Sequence, residues 1–144
     1  MFKYLLDCTI HKMWVFVYLA MFALKIIWRG VTHDLSKYSF CEASHFSRIT
    51  HLLKKTEYGS EEYRAQLRSI KPAIIHHNQH NRHHPEFHKN GIRNINVIDF
   101  IELLADWKAA SKRNKNGDVK VSIEKNQERF GYSDDIKSIM KNSL

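Results

Sequence analysis

The chain has 144 residues, 43% of them hydrophobic, so it can bury one domain-sized core and is not disordered by composition. Its 5 glycines and 2 prolines are too few for the many turns of an all-β protein and favour helices. The formal charge of +8 predicts attraction to anions such as nucleotides, nucleic acid or acidic lipid, although a lysine-rich solvated surface explains it equally well. The two cysteines, Cys8 and Cys41, form no CxxC pair, and we expect a reduced cytoplasmic protein.

The first predicted element is one long helix, Phe2 to Trp28, ended by Gly30. Residues 13–24 are apolar throughout, but Lys25 then interrupts the run, and a membrane span needs about 20 apolar residues. No small-residue cleavage site follows, which argues against a signal peptide. We therefore predict a buried first helix with no stable membrane insertion; a membrane anchor formed by residues 13–28 is the alternative.

The following elements are also predicted to be helices. A short one covers 32–38, and the capping-box pair Ser39 and Glu42 starts another that runs to about residue 55. Ser60 caps the next, 61–79, which Pro72 should kink or split. After a polar loop, 81–96, Asn96 starts the best-patterned helix, 97–112.

The C-terminal part is expected to hold a loop at 114–118 and two short helices, 123–129 and 133–141. There is no internal repeat and no sign of a second domain. The sequence thus predicts a single all-α domain, 1–144, with a core of 1–112 and a C-terminal helical tail of 113–144.

Histidine is the outlier of the composition, because six of the ten histidines fall between His76 and His88. Two adjacent pairs, His76-His77 and His83-His84, occur in this stretch. Packing explains such a cluster poorly, whereas metal binding or proton transfer beside a phosphate explains it well. A histidine-rich loop with adventitious metal affinity is the alternative.

Acidic residues accompany the histidines. The neighbours His33 and Asp34 can both reach an ion on one helix flank, and imidazole with carboxylate suits Mn, Fe or Zn. Glu102 and Asp106 share one face of an apolar helix, where burial is costly unless they are paired or metal-bound. His11, just before the apolar run, would return beside His33 in a helix hairpin. Surface pairs and an exposed acidic face are the alternatives.

The order His11, His33-Asp34, His76 or His77, and Asp106 resembles the signature of the HD-domain phosphohydrolase superfamily. The stretch HDLSK at 33–37 is similar to the HDxxK box of its cyclic-dinucleotide phosphodiesterase branch, but the glycine-rich GYP element of that branch is absent. More closely, the chain resembles a small HD-like family found in phages and bacteria. The boxes that carry this resemblance are HDLSKYS…E, HH…NxHHPE and ExxxDxxAASK, within residues 32–42, 76–86 and 102–112.

The resemblance implies an HD-type bundle of about five to seven helices around one or two divalent transition metal ions. It makes His11, His33, Asp34 and Asp106 the ligands of a first metal. It assigns His76 and His77, together with His84, to a second metal or to phosphate contacts. The implied activity is hydrolysis of a nucleotide or related phosphate ester by metal-activated water.

Further residues receive roles in this reaction. Lys37 is predicted to hold a phosphate oxygen, and Glu42, with Glu102, to orient histidines. The remaining candidates for the phosphate pocket are Arg82, His83, His84 and Lys112. A homodimer through the first helix is an additional expectation. The rival hypotheses are a basic nucleic-acid-binding helical protein without catalysis, which would show steep salt dependence, and a membrane-associated protein.

Overall fold

The computed structural model describes residues 1–57, 59–113 and 117–144, which form seven α-helices and three 3₁₀ turns and contain no strand. The predicted all-α fold is therefore confirmed. The chain divides into two compact units, 1–33 and 34–144. The first three residues of the loop predicted at 114–118, namely 114–116, lie outside the described residues.

The N-terminal unit consists of helix α1, Phe2–Thr32, which continues through Gly30 instead of ending there. The C-terminal unit begins with a 3₁₀ turn, Leu35–Tyr38, where the sequence predicted a helix. Its α-helices are α2, Phe40–Leu53; α3, Glu61–Ser69; α4, Lys71–His80; α5, Val97–Ser111; α6, Val119–Phe130; and α7, Asp134–Asn142. Two more 3₁₀ turns, Pro85–Phe87 and Gly91–Asn94, lie between α4 and α5.

The prediction of a buried first helix is wrong. Helix α1 has no buried residue, and each of the side chains at 13–19 exposes between 41% and 71% of its surface. The prediction assumed that an apolar run must pack against other helices, whereas most apolar side chains of α1 are exposed. The expectation of no membrane insertion relied on that burial and stays untested.

Local sequence explains the helix boundaries in the C-terminal unit. The Ser39, Ser60 and Asn96 side chains each accept a hydrogen bond from a backbone N–H in the first turn of the helix that follows. Pro72 lies in the first turn of α4, where its missing N–H is tolerated, and the helix predicted over 61–79 is split at Ile70.

The best-defined hydrophobic cluster joins α5, α6 and α7. Leu103, Ile123 and Met140 are fully buried in it, and the Tyr132 hydroxyl donates to the carbonyl oxygen of Ile123. Gly131, at a φ of 65°, adopts the left-handed conformation that ends α6 and turns the chain toward α7. Residues on both sides of Lys112 thus share one cluster. The predicted division into a core of 1–112 and a tail of 113–144 stays a prediction.

A second contact, between α2 and α4, positions the candidate site. Ile49 of α2 and Ala73 of α4 are buried, as is Ile70 between α3 and α4. This packing faces Glu42 toward the histidines of α4, although 34 positions separate Glu42 from His76.

Candidate metal centre

Four residues of the C-terminal unit each offer a metal-ligand atom, and these atoms all lie within 4.8 Å of one another: Asp34, His77, His83 and His84. Three of them are buried and the last is half-buried. Asp34 precedes the first 3₁₀ turn, His77 belongs to α4, and the other two histidines follow α4. Three separate stretches of chain therefore converge here.

The distances within this tetrad fit a divalent ion. Nε2 of His77 lies 2.9 Å from Nε2 of His84 and 3.4 Å from Oδ1 of Asp34. Nε2 of His83 lies 3.5 Å from the same Oδ1. Ligands at 2.0–2.2 Å from an ion stand roughly 3.0 Å apart around an octahedral centre and roughly 3.3–3.6 Å apart around a tetrahedral one. Three nitrogens and one carboxylate oxygen suit Zn, Mn or Fe.

A buried carboxylate lies behind each of two imidazoles. Nδ1 of His77 is 2.9 Å from Oε2 of Glu42, and Nδ1 of His83 is 3.1 Å from Oε1 of Glu102. The contact of His77 with Glu42 is a hydrogen bond, and a carboxylate can only accept, so Nδ1 of His77 carries the hydrogen and its Nε2 presents a lone pair to the tetrad. The contact of His83 with Glu102 is a close approach of an imidazole to a carboxylate. Carboxylates orient metal-binding histidines in this way.

Glu42 is fully buried and serves two histidines at once. Its Oε1 accepts a hydrogen bond of 2.7 Å from Nδ1 of His76, which lies outside the tetrad. Asn81 and Ser36 complete the network, with the Asn81 amide 2.7 Å from the Ser36 hydroxyl and that hydroxyl 3.2 Å from Nδ1 of His77. The imidazole of His77 is thus held from behind by several polar groups.

Asp34 occupies an unusual backbone conformation. Its φ of 55° is the one positive value among the non-glycine residues that the structure describes, and aspartate tolerates it better than most residues. In this conformation Asp34 precedes the first residue of the 3₁₀ turn. Within that turn Lys37 places its Nζ 2.5 Å from Oδ2 of Asp34, while Oδ1 faces the histidines.

Burial and hydrogen bonds together set the protonation of the site. Burial alone would raise the pKa of Glu42, but hydrogen bonds with His76, Ser36 and His77 outweigh it and lower the pKa. Burial lowers the pKa of His77, against the opposing carboxylate of Asp34, and Lys37 adds to the lowering. Burial, reinforced by the neighbouring His83 and His77, lowers the pKa of His84 to about 3. The two tetrad histidines with lowered pKa are therefore neutral at pH 7, as ligation requires.

A cavity of about 720 Å³ adjoins the tetrad and includes His77, His84 and Lys37 in its lining. Helix α6 contributes two cations to its wall, Lys125 and Arg129, and one of them, Arg129, also forms an ion pair of 2.6 Å with Glu86. Three aromatic side chains belong to the apolar part of the wall, together with aliphatic ones: Phe46, Trp107 and Phe130. The rings of Trp107 and Phe130 are stacked with centroids 6.2 Å apart.

The structure brings some of the predicted metal ligands together. A carboxylate oxygen of Asp106 lies within 4.8 Å of one of Asp34. His76 contacts Glu42 and stacks on His80, at 3.9 Å between ring centroids, outside the tetrad. His33 is the half-buried last residue of the N-terminal unit, and His11 is exposed on α1. Helix α1 is continuous from Phe2 to Thr32, so it holds His11 about 33 Å from His33, and the two cannot bind one ion. The predicted hairpin that pairs His11 with His33 is therefore wrong, while ligation by His33 stays a prediction.

The predicted phosphate-binding residues are also spread apart. Arg82 donates from Nε to Oδ2 of Asp99 at 3.1 Å, and its guanidinium lies 5.6 Å from the centroid of the Phe87 ring. Lys112 is exposed just after α5 and is not among the described residues that line the cavity. His83 was predicted to bind substrate, but its place in the tetrad makes it a candidate ligand instead.

Two features escaped the sequence reasoning. Lys125 and Arg129 belong to the C-terminal tail, to which the sequence assigned no role; their spacing of four residues, one helical turn, was the available indication. The sequence predicted that Glu102 orients a histidine but did not identify His83 as that histidine, because no sequence pattern links a residue of α5 with one after α4.

No curated protein and no solved structure significantly matches the chain. A family model matches residues 1–144, its full length, under the description of a family of unknown function. The chain therefore belongs to the family of unknown function DUF5662.

Proposed function

We propose that this protein is a metal-dependent phosphohydrolase that acts on a nucleotide or a related phosphate ester. The observation that carries the proposal is the convergence of Asp34, His77, His83 and His84, with a buried carboxylate behind two of the histidines. Such an arrangement is costly to bury without a cation, because it collects polar groups in a poorly solvated space. The resemblance to HD-domain proteins supports the same reaction class.

When bound, a divalent transition metal supplies Lewis acidity, which lowers the pKa of water and neutralises phosphoryl oxygens. Glu42 keeps the proton of His77 on Nδ1, so the Nε2 lone pair of His77 stays available, and Glu102 lies beside Nδ1 of His83, where it can orient that ring. Asp106, near Asp34 and half-buried, is placed to accept a proton from a water molecule or to add an oxygen ligand.

The cavity beside the tetrad fits a small anionic substrate. Its volume of about 720 Å³ falls within the usual range for small-molecule sites. Lys37, Lys125 and Arg129 offer charged donors for phosphate oxygens, although the same lining also holds the carboxylates of Glu57, Glu86 and Asp118. Trp107 and Phe130 offer an apolar surface against which a nucleobase can pack. These features favour a nucleotide over a simple inorganic phosphate.

Metal analysis of gently purified protein, followed by hydrolysis assays on a nucleotide panel with added Mn, tests the proposal. The informative variant is Asp34→Asn, because asparagine tolerates the same left-handed backbone but offers a weaker, neutral ligand. Asp106→Ala is a second variant. Both should lower metal content and hydrolysis while the helical circular dichroism is retained.

Variants of histidines outside the tetrad serve as controls, because they distinguish metal binding at the tetrad from nonspecific metal binding by surface histidines. Joint replacement of His76 and His77 by alanine should lower metal content more than replacement of His45 or His51, which both lie on α2 outside the tetrad. Equal losses in all these variants would point to adventitious binding. Protein that carries no transition metal and hydrolyses no nucleotide when Mn is added would contradict the proposed activity.

A further inference from the structure

Helix α1 is apolar on every side. Seven successive residues, 13–19, cover almost two turns of helix. Each residue is rotated by about 100° from the one before, so together their side chains point in every direction around the helix axis. All seven are hydrophobic or aromatic, and each exposes at least 41% of its surface. A helix that packs on a protein core has one apolar and one polar face, and this segment has no polar face.

The length of the apolar segment matches a lipid bilayer. The 19 residues from Ile10 to Trp28, which are apolar except for His11, Lys12 and Lys25, extend over about 28 Å, close to the roughly 30 Å hydrocarbon core of a membrane. A window of 18 residues in this helical region has a mean hydropathy of 1.6 and at most two charged residues, with none of it buried. It is the one candidate span among the described residues.

The charged residues of the segment lie toward its two ends. Lys12 stands near the first end, and Lys25 and Arg29 stand near the second. Long basic side chains can extend along a helix to reach anionic headgroups while their stems stay in lipid. Trp28, exposed at the second end, is a residue that favours the membrane interface.

We propose that α1 is an anchor that crosses a lipid bilayer once and tethers the C-terminal unit to it. A second copy of the chain would cover a single stripe of the helix and leave its other faces in water. Lipid covers all of them, and the basic ends complement phosphate headgroups. The proposal is independent of the hydrolase proposal, because it uses no residue of the metal centre.

Membrane flotation of the full chain tests this anchor. Membranes from expressing cells are floated on a density gradient and then treated with high salt, alkaline carbonate or detergent. The protein should float, resist salt and carbonate, and dissolve in detergent. Flotation separates membrane protein from aggregates, which sediment. Protein that fails to float, or that salt or carbonate releases, overturns the proposal.

A matched pair of double variants locates the segment responsible. Val17→Asp with Met21→Asp places two charges one turn apart in the middle of the span, and should lower the floating fraction at least roughly tenfold. Tyr4→Asp with Cys8→Asp adds the same charges at the same spacing outside it, and should float like the unchanged chain. Equal flotation of both double variants overturns the proposal. So does a soluble dimer of the unchanged chain that becomes a monomer in the Val17→Asp, Met21→Asp variant and stays a dimer in the control variant.

The two exposed cysteines report whether α1 spans the bilayer. Cys8 precedes the apolar segment and Cys41 follows it, so Cys41→Ser and Cys8→Ser leave one thiol each on opposite sides. A membrane-impermeant maleimide added to sealed vesicles should label one of these variants and spare the other. Labelling of both overturns the spanning arrangement. So does a membrane-bound product lighter than the 17.1 kDa chain, since that would reveal a cleaved leader.

Discussion

Replacement of Glu42 by methionine tests the orienting network behind the metal centre. Glu42 is fully buried and accepts hydrogen bonds of 2.7 Å from His76 and 2.9 Å from His77. Methionine has a similar length and fills the space, but it cannot play the carboxylate's acceptor role. The imidazole of His77 then loses the partner that fixes its proton on Nδ1, and its Nε2 is no longer held ready to ligate.

The expected magnitude follows from these contacts. Loss of a carboxylate behind a metal-binding histidine typically lowers metal affinity 10–100-fold, or about 1.4–2.7 kcal/mol. The imidazole N–H left without its acceptor costs about 1–3 kcal/mol of folding free energy, partly offset because methionine is easier to bury than a charge. Glu42→Gln keeps one acceptor oxygen for two histidines, so its metal affinity should lie between that of wild type and that of Glu42→Met.

The assay is titration of the metal-free protein with Zn or Mn against a chromophoric chelator. Glu61→Met is the matched control, because Glu61 is exposed and its ion pair with Arg68, at 2.6 Å, lies in α3 outside the tetrad. We expect wild-type affinity in the control and the graded loss in the two Glu42 variants. Equal metal affinity in wild type and Glu42→Met would refute the orienting role.

Three further predictions concern the substrate wall, the acid sensitivity and the C-terminal cluster. Joint replacement of Lys125 and Arg129 by alanine should raise KM for a nucleotide about 10-fold or more with metal content unchanged, as steady-state kinetics and metal analysis can check. For His84 the folded pKa of about 3 lies below the unfolded value of 6.5, so the unfolded state binds its proton first and stability is lost as pH falls from 6.5 toward 3. Urea unfolding of the metal-free proteins should show that the free energy of unfolding falls between pH 7 and pH 5 by about 1–2 kcal/mol less in His84→Gln than in wild type. The same pH dependence in both proteins would contradict the burial argument. Ile123→Ala should lower the free energy of unfolding by about 2–5 kcal/mol, and a negligible change would show that the cluster of α5, α6 and α7 contributes little to stability.

The sequence alone determined the helical class and most helix boundaries, because these depend on local chemistry. Ser39, Ser60 and Asn96 cap their helices through atoms only two or three residues away. Pro72 splits a helix through its own missing N–H. The histidine pairs were visible as a departure from ordinary composition, and the proximity of Asp34 to Asp106 followed from the resemblance rather than from spacing.

Tertiary structure decided which histidines belong to the centre and what surrounds it. His76 and His77 are neighbours in sequence, but on a helix they point about 100° apart, so only His77 joins the tetrad while His76 turns to Glu42. His83 takes its place because the chain turns back after α4. The fate of the apolar first helix was likewise invisible in its sequence, because burial depends on whether the rest of the fold offers a surface to cover it. Helix α1 has no buried residue, and a lipid bilayer is the partner we propose for it.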